Sequence, residues 1–258
     1  MKMLMLYFSG TGNTKYLIQK LEEQWKEHSV EHTTVAMDEF EDSQTHLMEE
    51  AEVILFAYPV HGSMAPMLVW SFVKKYASYF EGKKGIVLAT QWMFSGDGGA
   101  YLGRILRKCK MDVIAIDHFK TNNNISDVSF LKIKNGTSND PLRVKLNQQI
   151  ELFAIDYANG RYRKIGDNTT SILLGAIQRI PFSKWERKLA KNVKIDSNLC
   201  TLCNVCVKGC PTKNLFNDET KIGRNGECTL CYKCVNACPE QAISIMTKHK
   251  PKIQYKGL

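Results

Sequence analysis

Residues 200–211 read CTLCNVCVKGCP, and residues 228–239 repeat the pattern as CTLCYKCVNACP. Each stretch has the spacing C-x2-C-x2-C-x3-C-P, in which three cysteines stand two residues apart and a fourth is followed by proline. The two stretches hold eight of the nine cysteines in the chain. A spacing this regular, occurring twice, indicates a set of metal ligands.

The spacing is typical of two [4Fe-4S] clusters, because three thiolates on one tight loop can occupy three corners of a cubane. The fourth cysteine of each repeat then points to the other cluster. The predicted ligands are Cys200, Cys203, Cys206 and Cys238 for the first cluster, and Cys228, Cys231, Cys234 and Cys210 for the second. A zinc ribbon has no use for the third cysteines. A disulfide framework is typical of secreted chains, and no secretory signal precedes these cysteines.

Length and composition favour two domains. With 258 residues and 44% hydrophobic content, the chain has room for one α/β domain and a small appended one. We expect the clusters to stabilise the small domain, because its apolar core is too small to do so alone. No apolar run approaches the roughly 18 residues of a membrane span, and residues 1–8 are too short for a signal peptide. These features predict a cytoplasmic protein from an oxygen-poor setting.

The formal charge of +9 is unevenly distributed. Residues 1–90 are acidic on balance, whereas residues 161–194 and 248–256 are basic. This pattern predicts an acidic partner, expected to be a redox protein, or an anionic surface, met near the cysteine-rich end, and argues against a nucleic-acid binder. The alternative is that the basic stretches are only solvated faces.

The loop SGTGNT, residues 9–14, follows an apolar run and precedes a helical pattern. Its hydroxyls, glycines and backbone N–H groups meet at a helix N-terminus, which favours a bound phosphate. The loop has no lysine and lacks the third glycine of G-x-G-x-x-G, so triphosphate and dinucleotide loops are excluded. The alternative is a glycine turn that only starts a helix. The predicted phosphate-binding residues are Ser9, Gly10, Thr11, Gly12, Asn13 and Thr14.

Apolar runs and helical patterns alternate through the first 160 residues. Strands are predicted at 2–8, 32–37, 51–60, 85–91 and 111–116. After the helix that follows residues 9–14, further helices are predicted at 66–79, after residue 99 as far as about residue 110, and at 141–159. A polar loop is predicted at 117–140. This alternation predicts an α/β fold with a doubly wound parallel sheet of five strands, whose ligand site lies beyond the carboxyl ends of the strands. The ninth cysteine, Cys109, is expected to be a buried apolar residue.

The Thr-Gly-x-Thr core of residues 11–14 is similar to the phosphate loop of the flavodoxins, and two further loops are expected at the same sheet edge. The resemblance implies FMN, with its ring flanked by those two loops. Trp92 and Phe94 could stack on or edge the ring, although Trp92 could instead cap the core, and His61 could instead be solvated. The implied contacts are Pro59, Val60, His61, Gly62, Thr90, Gln91, Trp92, Phe94, Ser95, Gly96, Asp97 and Gly98.

Residues 169–191 are basic, with Leu173, Ile177 and Ile180 at helical steps, and Pro181 is expected to break the run. We expect a connector whose apolar stripe packs on the flavodoxin-like domain; the alternative is docking on an anionic membrane surface. The expected divisions are a flavodoxin-like domain at 1–160, the connector at 161–192, a two-cluster ferredoxin domain at 193–248 and a basic tail at 249–258.

The chain as a whole resembles the fused flavodoxin/ferredoxin electron-transfer proteins of anaerobic bacteria and archaea. The resemblance implies intracellular electron transfer through FMN and two [4Fe-4S] clusters, coupling one-electron and two-electron partners. The alternative is an FMN-dependent enzyme that reduces a quinone or nitro compound in a cleft near His61, Trp92 and Asn122. One departure is HFKTN at residues 118–122, where the family tends to carry a Met-Pro-x-Asn-Tyr-like segment.

Overall fold

The computed structural model of the protein describes residues 2–135 and 140–258. These residues form two compact units. The first contains residues 2–9, 13–121 and 140–180, and the second contains residues 10–12, 122–135 and 181–258. Residues 136–139, which belong to the polar loop predicted at 117–140, lie outside the described residues.

A five-stranded parallel sheet forms the centre of the first unit. Its strands are β1 (Met3–Tyr7), β2 (His32–Ala36), β3 (Val53–Pro59), β4 (Lys84–Gln91) and β5 (Asp112–Lys120), in the order β2-β1-β3-β4-β5. The order reverses between β1 and β3, so the carboxyl ends of these strands mark a topological switch point. The predicted α/β fold is confirmed.

The sheet carries the core of the first unit. Residues 53–58 of β3 are all buried, as expected for a parallel strand covered on both faces. The helices are α1 (Asn13–Glu27), α2 (Thr45–Glu50), α3 (Met67–Lys75), α4 (Gly98–Lys108) and α5 (Pro141–Ala158), with short 3-10 turns at Asp42–Gln44 and Ala77–Phe80. Trp25 of α1 packs against Tyr157 of α5, with ring centroids 5.1 Å apart. Tyr16 of α1 also donates a hydrogen bond to Asn147 of α5.

Two local predictions for the first unit are wrong. Strand β5 does not end at residue 116 but continues to Lys120, because β4 still offers paired backbone groups as far as Gln91. Cys109 is partly exposed rather than buried, because it caps the end of α4 and Lys110 follows it with a φ of 60°.

The second unit contains short elements around the two cysteine repeats. Helices α7 (Val205–Lys208) and α8 (Lys233–Ala237) each form part of one repeat. The strands pair antiparallel, β6 (Lys194–Ile195) with β9 (Ile243–Ser244), and β7 (Leu215–Asn217) with β8 (Ile222–Arg224). With so little regular structure in this unit, the expectation that bound clusters stabilise it stays a prediction.

Helix α6 (Thr169–Ala190) corrects two predictions about the basic connector. Pro181 lies inside the helix and does not break it, since a proline removes only one backbone hydrogen bond and clashes with one carbonyl. Leu173, Ile177 and Ile180 are each about 60% exposed, so the apolar stripe does not pack on the flavodoxin-like fold as predicted. The opposite face of the helix makes the contacts instead, as described below.

None of the helices within residues 2–135 and 140–258 combines the length and the apolar character needed to cross a bilayer.

Candidate cofactor sites

The two cysteine repeats fold in the same way. Leu202 and Asn204 of the first repeat have φ angles of 55° and 62°, and Leu230 and Tyr232 of the second have φ angles of 55° and 62°. Left-handed backbone is uncommon for residues that carry a Cβ atom. The sequence repeat is therefore also a repeat of an unusual loop conformation.

The first predicted ligand set lies together in the structure. Its four cysteines, Cys200, Cys203, Cys206 and Cys238, line one pocket, together with apolar side chains of β6, β8 and β9. Burial raises the pKa of the Cys206 thiol to about 11, and the neighbouring Cys238 and Cys200 thiols raise it further. Thiols that line one pocket are suited to share a cationic centre. Their role as cluster ligands stays a prediction.

The second predicted set is also grouped. Burial raises the pKa of the Cys234 thiol well above its usual value, and the strongest contributions from other thiols come from Cys231, Cys228 and Cys210. Burial likewise raises the pKa of Cys231 to about 12, with Cys228 and Cys210 again adding to the effect. The fourth cysteine of the first repeat thus lies with the first three of the second, as the crossed ligand sets require.

Backbone N–H groups donate to the thiol sulfurs in both repeats. The N–H of Asn214 lies 3.3 Å from Cys210 Sγ, and the N–H of Ala242 lies 3.4 Å from Cys238 Sγ. Each donor follows its cysteine by four residues, so the bond is part of the repeat. Such bonds favour the thiolate and tune the potential of a cluster.

Within the described residues, no three His, Cys, Asp or Glu side chains lie close enough to hold a single metal ion. A four-iron cubane is larger than one ion and separates its thiolates accordingly. The cysteine sets, their crossed arrangement and their N–H donors fit a pair of cubanes.

The predicted phosphate loop connects β1 to α1. Ser9 Oγ accepts the N–H of Lys15 at 3.2 Å, and the buried Thr14 hydroxyl bonds with the hydroxyl of Thr90 at 2.9 Å. Asn13 begins the helix, and the first turn of α1 carries no acidic residue that would repel an anion. The loop fits the monophosphate of FMN through its hydroxyls and the helix N-terminus.

The tip of this loop, Gly10 to Gly12, belongs to the second unit. A Cβ atom on Gly10 would lie only 2.7 Å from the Cβ of Cys231, so only glycine fits there. Thr11 Oγ1 accepts a hydrogen bond from Asn124 Nδ2 at 2.9 Å. The carbonyl of Asn124 accepts one from Asn236 of α8, also at 2.9 Å. The loop tip is thereby built onto the second cysteine repeat.

The second predicted loop is a tight turn that follows Pro59 at the end of β3. His61 and Met64 exchange backbone hydrogen bonds of 2.9 and 3.0 Å, with positive φ at both intervening residues, Gly62 and Ser63. Burial lowers the pKa of His61 to about 4, so its imidazole is neutral at pH 7. Its buried Nδ1 has no hydrogen-bond partner. A bound cofactor would satisfy such an atom, which supports the fit of the loop to a flavin.

The third predicted loop follows β4 and meets the second. The N–H of Val60 donates to the carbonyl of Thr90 at 2.8 Å, and Gly98 lies against the Val60 side chain. Ser63 Oγ donates to the carbonyl of Ser95, whose own hydroxyl bonds with Gln91. The structure therefore brings the second and third predicted loops together.

Aromatic and sulfur-containing side chains of the third loop face solvent. Phe94 is 59% exposed, and Met93, which was not among the predicted contacts, is 62% exposed, while Trp92 is partly exposed. These side chains are accessible for stacking or for partner contacts.

The side chain of Asp97, unlike those of Met93 and Phe94, is buried and forms ion pairs. It is fully buried, and its carboxylate pairs with Arg104 of α4 and Arg179 of α6. Only the backbone of Asp97 remains available for the predicted contact with the flavin.

Arg179 joins the second and third predicted loops. It donates to the carbonyl of Ser63 at 2.9 Å and to Asp97 Oδ1 at 2.8 Å, and it stacks on Tyr101 at 3.9 Å. Helix α6 comes this close because Gly175 and Gly96 meet: a Cβ on Gly96 would lie 2.7 Å from Gly175 Cα. Sequence reasoning missed these contacts, since the only signal was the basic character of the connector.

The departure at residues 118–122 begins on β5. His118 Nε2 accepts the N–H of Gly99 at 2.9 Å, and burial lowers the pKa of His118 to about 4. The neutral ring holds the start of α4 beside the third loop, so the unusual segment has a structural role here.

Comparisons with known proteins match two separate parts of the chain to two family models. Residues 4–110 match a family model described as a flavodoxin domain, and residues 192–239 match one described as a 4Fe-4S dicluster domain. Two such matches in this order are consistent with a fused flavodoxin/ferredoxin protein, as the sequence predicts. The cofactors that these domains imply are FMN and iron–sulfur clusters. No curated protein matches the chain.

Solved structures similar to the chain include an archaeal flavodoxin, 18% identical, covering 62% of this chain and 98% of that one, with a TM-score of 0.46. The flavodoxin of Streptococcus pneumoniae TIGR4 is 13% identical, covering 62% and 99%, with a TM-score of 0.45. The rubredoxin oxygen:oxidoreductase of the anaerobe Desulfovibrio gigas is 16% identical, with a TM-score of 0.47. The match covers 62% of this chain and 35% of the Desulfovibrio protein.

Proposed function

We propose that the chain is an intracellular electron carrier that couples one-electron and two-electron redox partners. FMN supplies a carrier of one or two electrons, and each [4Fe-4S] cluster a carrier of one. The proposed cluster ligands are the two crossed sets of four cysteines, and the proposed FMN residues are those of the three loops at the sheet edge.

The observation that carries the proposal is the contact between the phosphate-loop tip and the second cysteine repeat, within the second unit. Gly10 touches Cys231, a proposed ligand of the second cluster. Thr11 is linked through Asn124 to Asn236, which lies between Cys234 and Cys238. A protein that used its flavin and its clusters independently would not need this contact. The contact supports the second cluster as the one that exchanges electrons with the flavin.

An intracellular location is part of the proposal. All eight cysteines of the repeats are unpaired by disulfides, and cluster ligands must remain reduced. A reducing compartment meets this requirement.

Replacing a ligand of one cluster tests the proposal. Cys203→Ala is expected to lose about half of the iron and to keep FMN, because its sulfur belongs to the first set and lies outside the flavin loops. Cys109→Ala is the matched control, since Cys109 lies outside both repeats, and should keep iron and flavin alike. Iron, sulfide and flavin are quantified on anaerobically purified protein. Unchanged iron in Cys203→Ala would rule out the ligand assignment.

Anaerobic stopped-flow spectroscopy then distinguishes an electron carrier from a small-molecule reductase. Reduced protein should transfer electrons to an acidic bacterial ferredoxin, with flavin and cluster absorbance changing together. Fast turnover with a small quinone, together with no exchange with ferredoxin, would favour the small-molecule reductase over the carrier.

A further inference from the structure

The second unit contains an open groove of about 820 Å³ that none of the proposed cofactor residues lines. Two segments form it, residues 126–134 and residues 249–253. We call it the basic groove, because Lys132, Lys134, Lys250 and Lys252 all line it and all are exposed.

Among the described residues that line the groove, none is an exposed acid that would neutralise these lysines. Asp127 is the one lining carboxylate, and it is buried. Its oxygens accept the N–H groups of Ile245 and Met246 at 2.7 and 2.8 Å and the hydroxyl of Tyr232 at 2.9 Å. The Asp127 carboxylate is thus bonded to groups inside the protein, and the positive charge of the four lysines faces outward.

Apolar groups lie among the lysines. Leu131 and Ile133 line the groove, as does Ile253, which is 54% exposed. Phe130, between two lining residues in sequence, is 81% exposed. An exposed aromatic with aliphatic neighbours and a rim of one charge is typical of a protein-docking surface.

The walls of the groove also contact the cysteine repeats. Asp127 binds the hydroxyl of Tyr232, which follows Cys231 in sequence. Gln254, next to the second wall, donates to the carbonyl of Cys238 at 2.6 Å. A partner in the groove would therefore sit on one segment bonded to the neighbour of Cys231 in sequence and on another that adjoins a contact with Cys238.

We propose that the basic groove is the docking site of an acidic electron-transfer protein. The proposal rests on the proposed carrier function and adds the surface on which the partner binds. Charge complementarity favours this occupant, and the concave shape favours a protruding acidic segment over a flat bilayer surface.

Two charge-reversal variants of the full-length holoprotein test this surface. The groove variant carries Lys132→Glu, Lys134→Glu, Lys250→Glu and Lys252→Glu. The matched control carries Lys184→Glu, Lys188→Glu, Lys191→Glu and Lys213→Glu, at four exposed lysines of the same unit that lie outside both cysteine repeats and do not line the groove. Both variants change the net charge equally, so a difference between them reports position.

The probes are a fluorescein-labelled decaglutamate peptide, followed by anisotropy, and an acidic bacterial ferredoxin, followed by anaerobic stopped flow. In the groove variant we expect peptide affinity and the second-order rate with ferredoxin to fall about tenfold or more at low salt. The loss should shrink as salt screens the charges. The control should change either quantity by less than about threefold.

Equal losses in both variants, or no loss in the groove variant, would overturn the proposal. So would binding to anionic phospholipid vesicles that is lost in the groove variant while its rate with ferredoxin is unchanged. Cluster-to-flavin electron exchange after reduction by dithionite separates the two proposals. If exchange is normal but the groove variant docks normally, only the docking site is wrong, whereas absent exchange in the wild type contradicts the carrier function itself.

Discussion

Replacing Arg179 with methionine removes one of the two guanidinium groups that hold the buried carboxylate of Asp97. The substitution keeps an unbranched apolar stem over Tyr101 but loses the hydrogen bonds to Asp97 and to the carbonyl of Ser63. Arg104 remains as the other partner of Asp97. The change therefore weakens the ion-pair network without leaving the acid unpaired.

The expected loss follows from burial. The Asp97 side chain is fully buried and that of Arg179 is 13% exposed, so water cannot replace the lost bonds. A hydrogen bond between charged groups contributes about 1.5–3 kcal/mol, and one to a neutral carbonyl about 1 kcal/mol. We expect Arg179→Met to lower the free energy of unfolding by about 2–4 kcal/mol.

The same contacts position the two loops that are proposed to flank the flavin ring, those of Ser63 and Asp97. Because Arg179 bonds to both loops, its loss should let them separate, and we expect the dissociation constant of FMN to rise about tenfold, which corresponds to about 1.4 kcal/mol. Urea unfolding followed by circular dichroism measures stability, and quenching of FMN fluorescence measures affinity.

Arg107→Met is the matched control. Arg107 pairs with Asp167 at 2.7 Å, but the two side chains are 33% and 18% exposed, so the loss should stay below about 1 kcal/mol. FMN affinity should not change. The reasoning is refuted if Arg179→Met costs no more than Arg107→Met, or if both weaken FMN binding equally.

Thr11→Val should weaken FMN binding about tenfold without loss of iron, because it removes a hydroxyl from the phosphate loop; unchanged flavin occupancy would contradict the loop assignment. The folded-state pKa of His118 lies near 4, below its usual value, so its contribution to stability is present above pH 6.5 and lost towards pH 4. His118→Gln should flatten this acid-side decline in unfolding free energy, on the order of 3 kcal/mol in the wild type. Burial raises the pKa of Glu186 to about 7, so stability is lost as pH rises from 4.5 through 7. Glu186→Gln should raise the melting temperature at pH 8 and not at pH 5.

The sequence was most informative for elements whose own residues form a recognisable pattern. Strand β3 is continuously apolar because both its faces are buried, and that property is visible in the sequence alone. The two cysteine repeats carry their spacing in the same way, and the four cysteines of the first predicted set line one pocket. The assignment of both crossed ligand sets stays a prediction.

Predictions that depended on a distant partner were less successful. The end of β5 is decided by β4, which still pairs with Lys120, and not by the polar residues of β5 itself. In α6 the apolar stripe indicated the wrong buried face, because Gly175 allows the opposite face to approach the loop at Gly96. Glycine has no side chain and so adds nothing to the hydrophobic periodicity, which therefore could not reveal this contact.

The polar stretch after β5 shows the same limit most clearly. Its composition indicated only a loop, yet Asp127 accepts hydrogen bonds from the backbone of Ile245 and Met246 and from Tyr232, all more than 100 residues away. Burying a carboxylate is costly unless several donors meet it, and here the second cysteine repeat and the chain that follows it supply the donors. Asn124 in the same stretch joins the phosphate-loop tip to that repeat. The residues least informative in sequence therefore make the connection on which the proposed exchange between flavin and clusters depends.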